Sequence, residues 1–122
     1  MEIKNHFEPA MLDRVFEILK QEEWLEHTIF ISFDRPNMLY IREKLPEQRA
    51  QYLVSYFDKN VLDTLKEYKL DLDIDYRNLT AHMVNLCHEN GIVVNVWTVN
   101  TLEDARRMAE YGVDFITTNI LE

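Results

Sequence analysis

The sequence predicts an α/β fold of parallel strands alternating with helices, and three observations carry that expectation. Short runs of β-branched and aromatic residues recur from Thr28 to Thr118. Between them lie segments whose apolar residues fall at helical spacing, and those segments open on cap residues and close on Gly or Pro. Helices that return each strand to lie beside its predecessor give right-handed crossovers and parallel strands. A doubly wound sheet and a part of a closed barrel both satisfy this pattern.

Glu2-Ile3-Lys4 is a short stub that reads as the end of a strand. Pro9 opens a helix, tolerated there because its missing N–H would be an orphan anyway. Leu12, Val15, Phe16 and Leu19 follow at the spacing of one buried face. Thr28-Ile29-Phe30-Ile31-Ser32-Phe33 is apolar on both faces, as a strand covered by helices must be. Asp34 is placed to cap a second helix, with Pro36 just inside, Leu39 and Ile41 along it, and Pro46 at or beyond its end. Gln51 to Phe57 reads as a strand, and Asp58 caps a helix through Val61, Leu62 and Leu65.

Leu70 to Tyr76 alternates strictly between apolar and polar residues, which predicts a half-exposed strand. Asn78 or Thr80 starts the next helix, with Leu79, Met83, Val84 and Cys87 inward and Gly91 as its stop. Ile92 to Val99 is the clearest strand. Thr101-Leu102-Glu103-Asp104 resembles a capping box, Gly112 ends that helix, and Val113 to Thr118 forms the last strand.

The 122 residues suffice for a single domain, 1–122, with one modest core. A net charge of -9 argues against a nucleic-acid partner, because phosphate-binding surfaces need clustered Lys and Arg. No apolar run approaches the ~20 residues of a membrane span. Cys87 is the only cysteine, which excludes an intrachain disulfide and fits a cytoplasmic location.

Chemistry in α/β folds gathers at the carboxyl ends of strands. Glu2 and Lys4, two apart on a strand, point to one face, where a carboxylate and an ammonium could hold a divalent cation and a phosphate oxygen. An ordinary ion pair at a terminus fits the same spacing. Trp97 follows an apolar strand and fits either a pocket wall or a core position. Asp34 reads better as a helix cap than as a ligand. His6, His27, His82 and His88 show no metal-ligand or nucleophile–base spacing, and no Gly-rich phosphate loop is present.

Four segments read together resemble the glycerophosphodiester phosphodiesterase family. They are Glu2-Ile3-Lys4; Ile31-Ser32-Phe33-Asp34; Val94-Asn95-Val96-Trp97-Thr98-Val99-Asn100; and Gly112-Val113-Asp114-Phe115-Ile116-Thr117-Thr118-Asn119. The resemblance implies part of a (β/α)₈ barrel, a fold that typically needs about 250 residues. With Glu-Ile-Lys as the fourth strand, the chain becomes a partial, half TIM-type barrel of about five parallel strands with helices, corresponding to strands four to eight. It implies Glu2 as one of three carboxylates holding Ca²⁺ or Mg²⁺, Lys4 as a phosphate ligand, and Phe33 and Trp97 as walls of the glycerol pocket. The family's His-Arg-Gly, its Glu-x-Asp pair and its second catalytic His have no counterpart here, and His6 does not align with them.

The resemblance therefore implies a truncated phosphoric diester hydrolase of glycerophospholipid metabolism, inactive as this chain alone, with metal binding weak or absent. A complementing chain carrying the N-terminal half-barrel would restore a site for a glycerophosphodiester. A non-catalytic, self-associating homodimer derived from the family is the alternative. A free-standing flavodoxin-like domain is a third reading, and no nucleotide-binding loop supports it.

Overall fold

The computed structural model describes residues 1–119. Among them, helices and strands alternate: α1 Pro9–Gln21, β1 Phe30–Ser32, α2 Arg35–Lys44, β2 Ala50–Val54, α3 Lys59–Tyr68, β3 Asp71–Asp75, α4 Ala81–Glu89, β4 Val94–Trp97, α5 Leu102–Tyr111 and β5 Phe115–Ile116. The α/β class with five parallel strands is as expected, although Glu-Ile-Lys, counted among the five, lies outside them and the strands are shorter than their apolar runs. The chain divides into two compact units, Met1–Leu53 and Val54–Glu122.

In the first unit, β1 and β2 pair in parallel with Phe30 opposite Ala50 and Ser32 opposite Tyr52. Phe30 and Ser32 are fully buried, and Phe30 meets Phe16 of α1 edge-on at 5.6 Å between ring centroids. Leu12 and Phe16 are buried on α1, and Met38 and Ile41 on α2. Burying side chains of this size contributes about 1.5–3 kcal/mol each. Leu39 is only half-buried, and Met38 takes the deeper position. Asp34 does cap α2, accepting from the Asn37 N–H at 2.9 Å, with Pro in the first turn.

Glu2-Ile3-Lys4 is not a full strand. Glu2 forms one parallel bridge to Ile31, with the Ile3 N–H donating to the Ile31 carbonyl at 2.7 Å and the Ile31 N–H to the Met1 carbonyl at 2.9 Å. The segment thus adds one parallel position ahead of the five strands.

In the second unit, β3 pairs with β4 and β4 with β5, all parallel. Leu72, Ile74, Val94 and Val96 are all wholly buried on one face of the β3–β4 pair. Their neighbours alternate to the other face, placing Asp73 and Asp75 beside Asn95 and Trp97 in register. One expectation changes here. The Leu70–Tyr76 segment is buried on both faces rather than half-exposed: Asp73 and Asp75 are only 4% and 5% exposed. Val94 and Val96 lie on the wholly buried face, and the alternate face, with Asp73, Asp75 and Asn95, is largely polar.

Caps fix the helix ends as read. Asp58 accepts from Val61 N–H at 2.8 Å, Thr80 from Met83 N–H at 3.3 Å, and Thr101 from Asp104 N–H at 3.2 Å. Gly112 ends α5 at φ 88°, a left-handed conformation that side chains with a Cβ resist. Asp58→Ala removes a cap at an exposed position, so urea unfolding is expected to show a loss of about 1 kcal/mol with the slope unchanged.

Candidate functional site

The carboxyl end of β1 carries the first cluster. Glu2 and Lys4 are exposed on either side of buried Ile3, so both project to the face opposite Ile3. None of the ion pairs among the described residues uses either of them, so the pairing that their spacing allowed does not form. Phe33, just beyond β1, is 48% exposed.

Asn37 holds this cluster in place. Its side chain accepts from Phe7 N–H at 3.0 Å and donates to the Asn5 carbonyl at 2.8 Å. The Ser32 hydroxyl donates to the Ile3 carbonyl at 2.6 Å. Both side chains are wholly buried, so they tie the segment after Glu-Ile-Lys to α2 and β1 in one arrangement. His6, which shows no catalytic spacing in sequence, places Nδ1 3.2 Å from both carboxylate oxygens of Asp34 and Nε2 3.7 Å from Glu8. Asp34 is therefore both helix cap and partner of a histidine.

The second unit carries the other cluster. Asp75 and Trp97 are register partners at the carboxyl ends of β3 and β4. A cavity of about 320 Å³ opens there, lined by Asp75, Tyr76, Arg77, Trp97 and Thr98. Trp97 is partly buried and lines this cavity. The Asp75 carboxylate caps the single 3-10 turn Tyr76–Asn78 through the Arg77 N–H at 3.0 Å. It also grips the Arg77 guanidinium, accepting from Nε at 3.0 Å and Nη2 at 2.6 Å. Those side-chain hydrogen bonds hold the Asp75 carboxyl below its ordinary value, against the opposing effect of burial. Tyr76 donates its hydroxyl to Asp104 at 3.1 Å.

Sequence reading passed over Asp75 and Arg77, since the alternation of Leu70 to Tyr76 placed its acids in solvent. The Asp-x-Arg spacing at a strand end was the available signal. A carboxylate lowered by a cation sets the sign of a pH effect. Asp75 stabilises the fold above its unfolded value, and that contribution is lost as pH falls through its depressed folded value. Arg77→Gln is accordingly expected to destabilise at pH 7, and the gap to wild type should narrow in acid. Urea titrations at several pH values check this; a gap that is constant or widens in acid contradicts it.

Cys87 is wholly buried, and burial pushes its thiol up to about 11, so it is no nucleophile. His88 lies 2.8 Å from Asp114, whose carboxylate also accepts from Val94 N–H at 2.8 Å. Among the described residues no group of three or more His, Cys, Asp or Glu is placed to hold a metal ion. The described residues by themselves do not make up a complete divalent-metal site, which takes about six oxygens. Among the described residues no helix is long and apolar enough to cross a membrane.

The model of the glycerophosphoryl diester phosphodiesterase family matches residues 1–122. A glycerophosphodiester phosphodiesterase of Caldanaerobacter subterraneus is 24% identical over 115 residues, covering 91% of this chain and 46% of that protein. The crystal structure of a glycerophosphodiester phosphodiesterase from Parabacteroides distasonis is 29% identical, with a TM-score of 0.81 over 97% of this chain and 51% of that one. An Oleispira antarctica phosphodiesterase, solved with its product sn-glycerol-3-phosphate, is similar in fold at 21% identity and a TM-score of 0.81, covering 90% of this chain and 45% of that one. The chain spans about half the length of the relatives it matches.

Proposed function

We propose that this chain, which belongs to the glycerophosphoryl diester phosphodiesterase family, is a truncated phosphoric diester hydrolase that turns over substrate only when a second chain supplies the remaining strands. The family match along all 122 residues, set against relatives about twice as long, is the observation that carries this reading. Lys4 meets a non-bridging phosphate oxygen and offsets charge that builds there, while Phe33 and Trp97 pack against the glycerol portion. Glu2 contributes one carboxylate toward a Ca²⁺ or Mg²⁺ whose other ligands lie outside this chain. Proton transfer needs a positioned acid and base, and the family's two histidines are not in this sequence. The single domain works in the cytoplasm in this reading.

The test is complementation. Purified chain with Ca²⁺ or Mg²⁺ is expected to cleave glycerophosphocholine no faster than background. Addition of a chain bearing His-Arg-Gly and Glu-x-Asp strands should restore turnover. Turnover by the chain alone, abolished by Glu2→Ala, would sink the reading. Calorimetry of the lone chain should show Ca²⁺ and Mg²⁺ binding in the millimolar range or weaker, since one carboxylate supplies few of the six or more oxygens a hard cation takes. Micromolar binding would count against it.

One observation favours the alternative of a self-associating module. β5 pairs with β4 and exposes Phe115 at 51% and Ile116 at 36%, an apolar edge that a second copy could cover. Light scattering at micromolar concentration should then report twice the mass of one chain, and a monomer that stays folded on dilution rules the homodimer out.

A further inference from the structure

Asp75 and Arg77 play no part in the reading above, yet among the described residues of the second unit they form the shortest ion pair, at 2.6 Å. We propose that Arg77, held by Asp75 in the cavity that Trp97 and Thr98 also line, is an oxyanion subsite that receives an anionic group carried by the alcohol portion of a phosphodiester substrate. The proposal rests on the family reading for the word substrate, and on this chain's own geometry for the site.

The guanidinium carries five N–H donors in a fixed fork. Asp75 engages Nε and one hydrogen of Nη2, so the hydrogens on Nη1 and the second on Nη2 are directed away from the carboxylate. The Asp75 side chain is 7% exposed and the Arg77 side chain 71%. What a ligand can reach is therefore the cation, already oriented, while the anion that orients it is sealed behind. Preorganisation of this kind lowers the ordering cost of binding.

The same arrangement argues against a cationic head group. Trp97 and Tyr76 are among the lining residues, but the Asp75 carboxylate is already committed to Arg77, whose positive charge repels a quaternary ammonium. Thr98 adds a hydroxyl at the rim, and the cavity of about 320 Å³ suits a small group such as a carboxylate or phosphate. Either source presents the same chemistry, two or more oxygens that share a negative charge.

Trp97 is the reporter. Trp24 is 60% exposed and lies in the other unit, so Trp24→Phe leaves one indole in the chain. In that background, titration with inorganic phosphate or acetate at constant ionic strength is expected to perturb Trp97 fluorescence saturably, and tetramethylammonium should not. Phosphate alone responding identifies a phosphate subsite, and acetate responding as well identifies a general oxyanion subsite; both support the proposal. Arg77→Gln should weaken binding about tenfold or more. Because that change leaves Asp75 without its cation, the paired variant Asp75→Asn/Arg77→Gln, checked for folding by circular dichroism, must lose the response as well.

No saturable response, a response to tetramethylammonium instead, or affinity unchanged in the paired variant overturns the proposal. A response lost in Lys4→Met but kept in Arg77→Gln overturns it too, while leaving the phosphodiesterase reading standing. Failure of complementation, conversely, leaves oxyanion binding at Arg77 measurable on the chain alone.

Discussion

Lys4→Met in the complemented enzyme is expected to lower kcat/KM by about 10²–10³-fold, the loss found when one preorganised donor to a developing oxyanion is removed. Hydrolysis of a phosphodiester shifts negative charge onto the non-bridging oxygens, and a fixed ammonium beside one of them gains strength as that charge grows. The loss should therefore fall on kcat more than on KM, because the interaction is stronger in the transition state than in the ground state. Lys4 is exposed and takes part in no ion pair among the described residues, so its removal should leave folding unchanged. Steady-state kinetics with circular dichroism as the folding control decides it. A kcat/KM within about twofold of wild type would remove Lys4 from the phosphate site.

The largest stability effect is expected at Asn37. Asn37→Leu keeps the size of the side chain but strips partners from the Phe7 N–H and the Asn5 carbonyl, and from a third contact at 3.5 Å with the Ser32 hydroxyl. Leaving such groups unsatisfied near a wholly buried position costs about 2–4 kcal/mol in sum. Asn37→Asp keeps an acceptor for Phe7 and loses the donor to Asn5, so its loss should be intermediate. Urea midpoints order the three proteins. Asn37→Leu should also depress turnover of the complemented enzyme, because the segment carrying Glu2 and Lys4 is fastened through Asn5 and Phe7. Equal stability of Asn37→Leu and wild type would show that water satisfies those backbone groups just as well.

Much of this architecture is local chemistry and so was legible in the residues. Asp34, Asp58, Thr80 and Thr101 were readable as caps because a short side-chain oxygen satisfies the first N–H groups of a helix wherever it stands. Gly112 was readable as a stop because few other residues adopt a left-handed backbone without strain. The family, too, was legible, since four strand-end segments carry its pattern in order along the chain.

Burial and pairing were not legible, because they depend on residues far apart in the chain. The alternation in Leu70 to Tyr76 gives the period of a strand but not the environment of its second face, and only the partner strand shows Asp73 and Asp75 shielded. Asn37 reads as an ordinary polar helix residue until Asn5 and Phe7, about 30 positions away, arrive at its amide. Arg77 reads as an unattached charge until Asp75 fixes the direction of its guanidinium beside the cavity that Trp97 also lines. The sequence alone determined the period of each element, where it starts and stops, and the family to which the chain belongs. Tertiary structure decided which polar groups were removed from water, and a charge or amide becomes a site only when its neighbours fix its direction and exclude solvent from its other side.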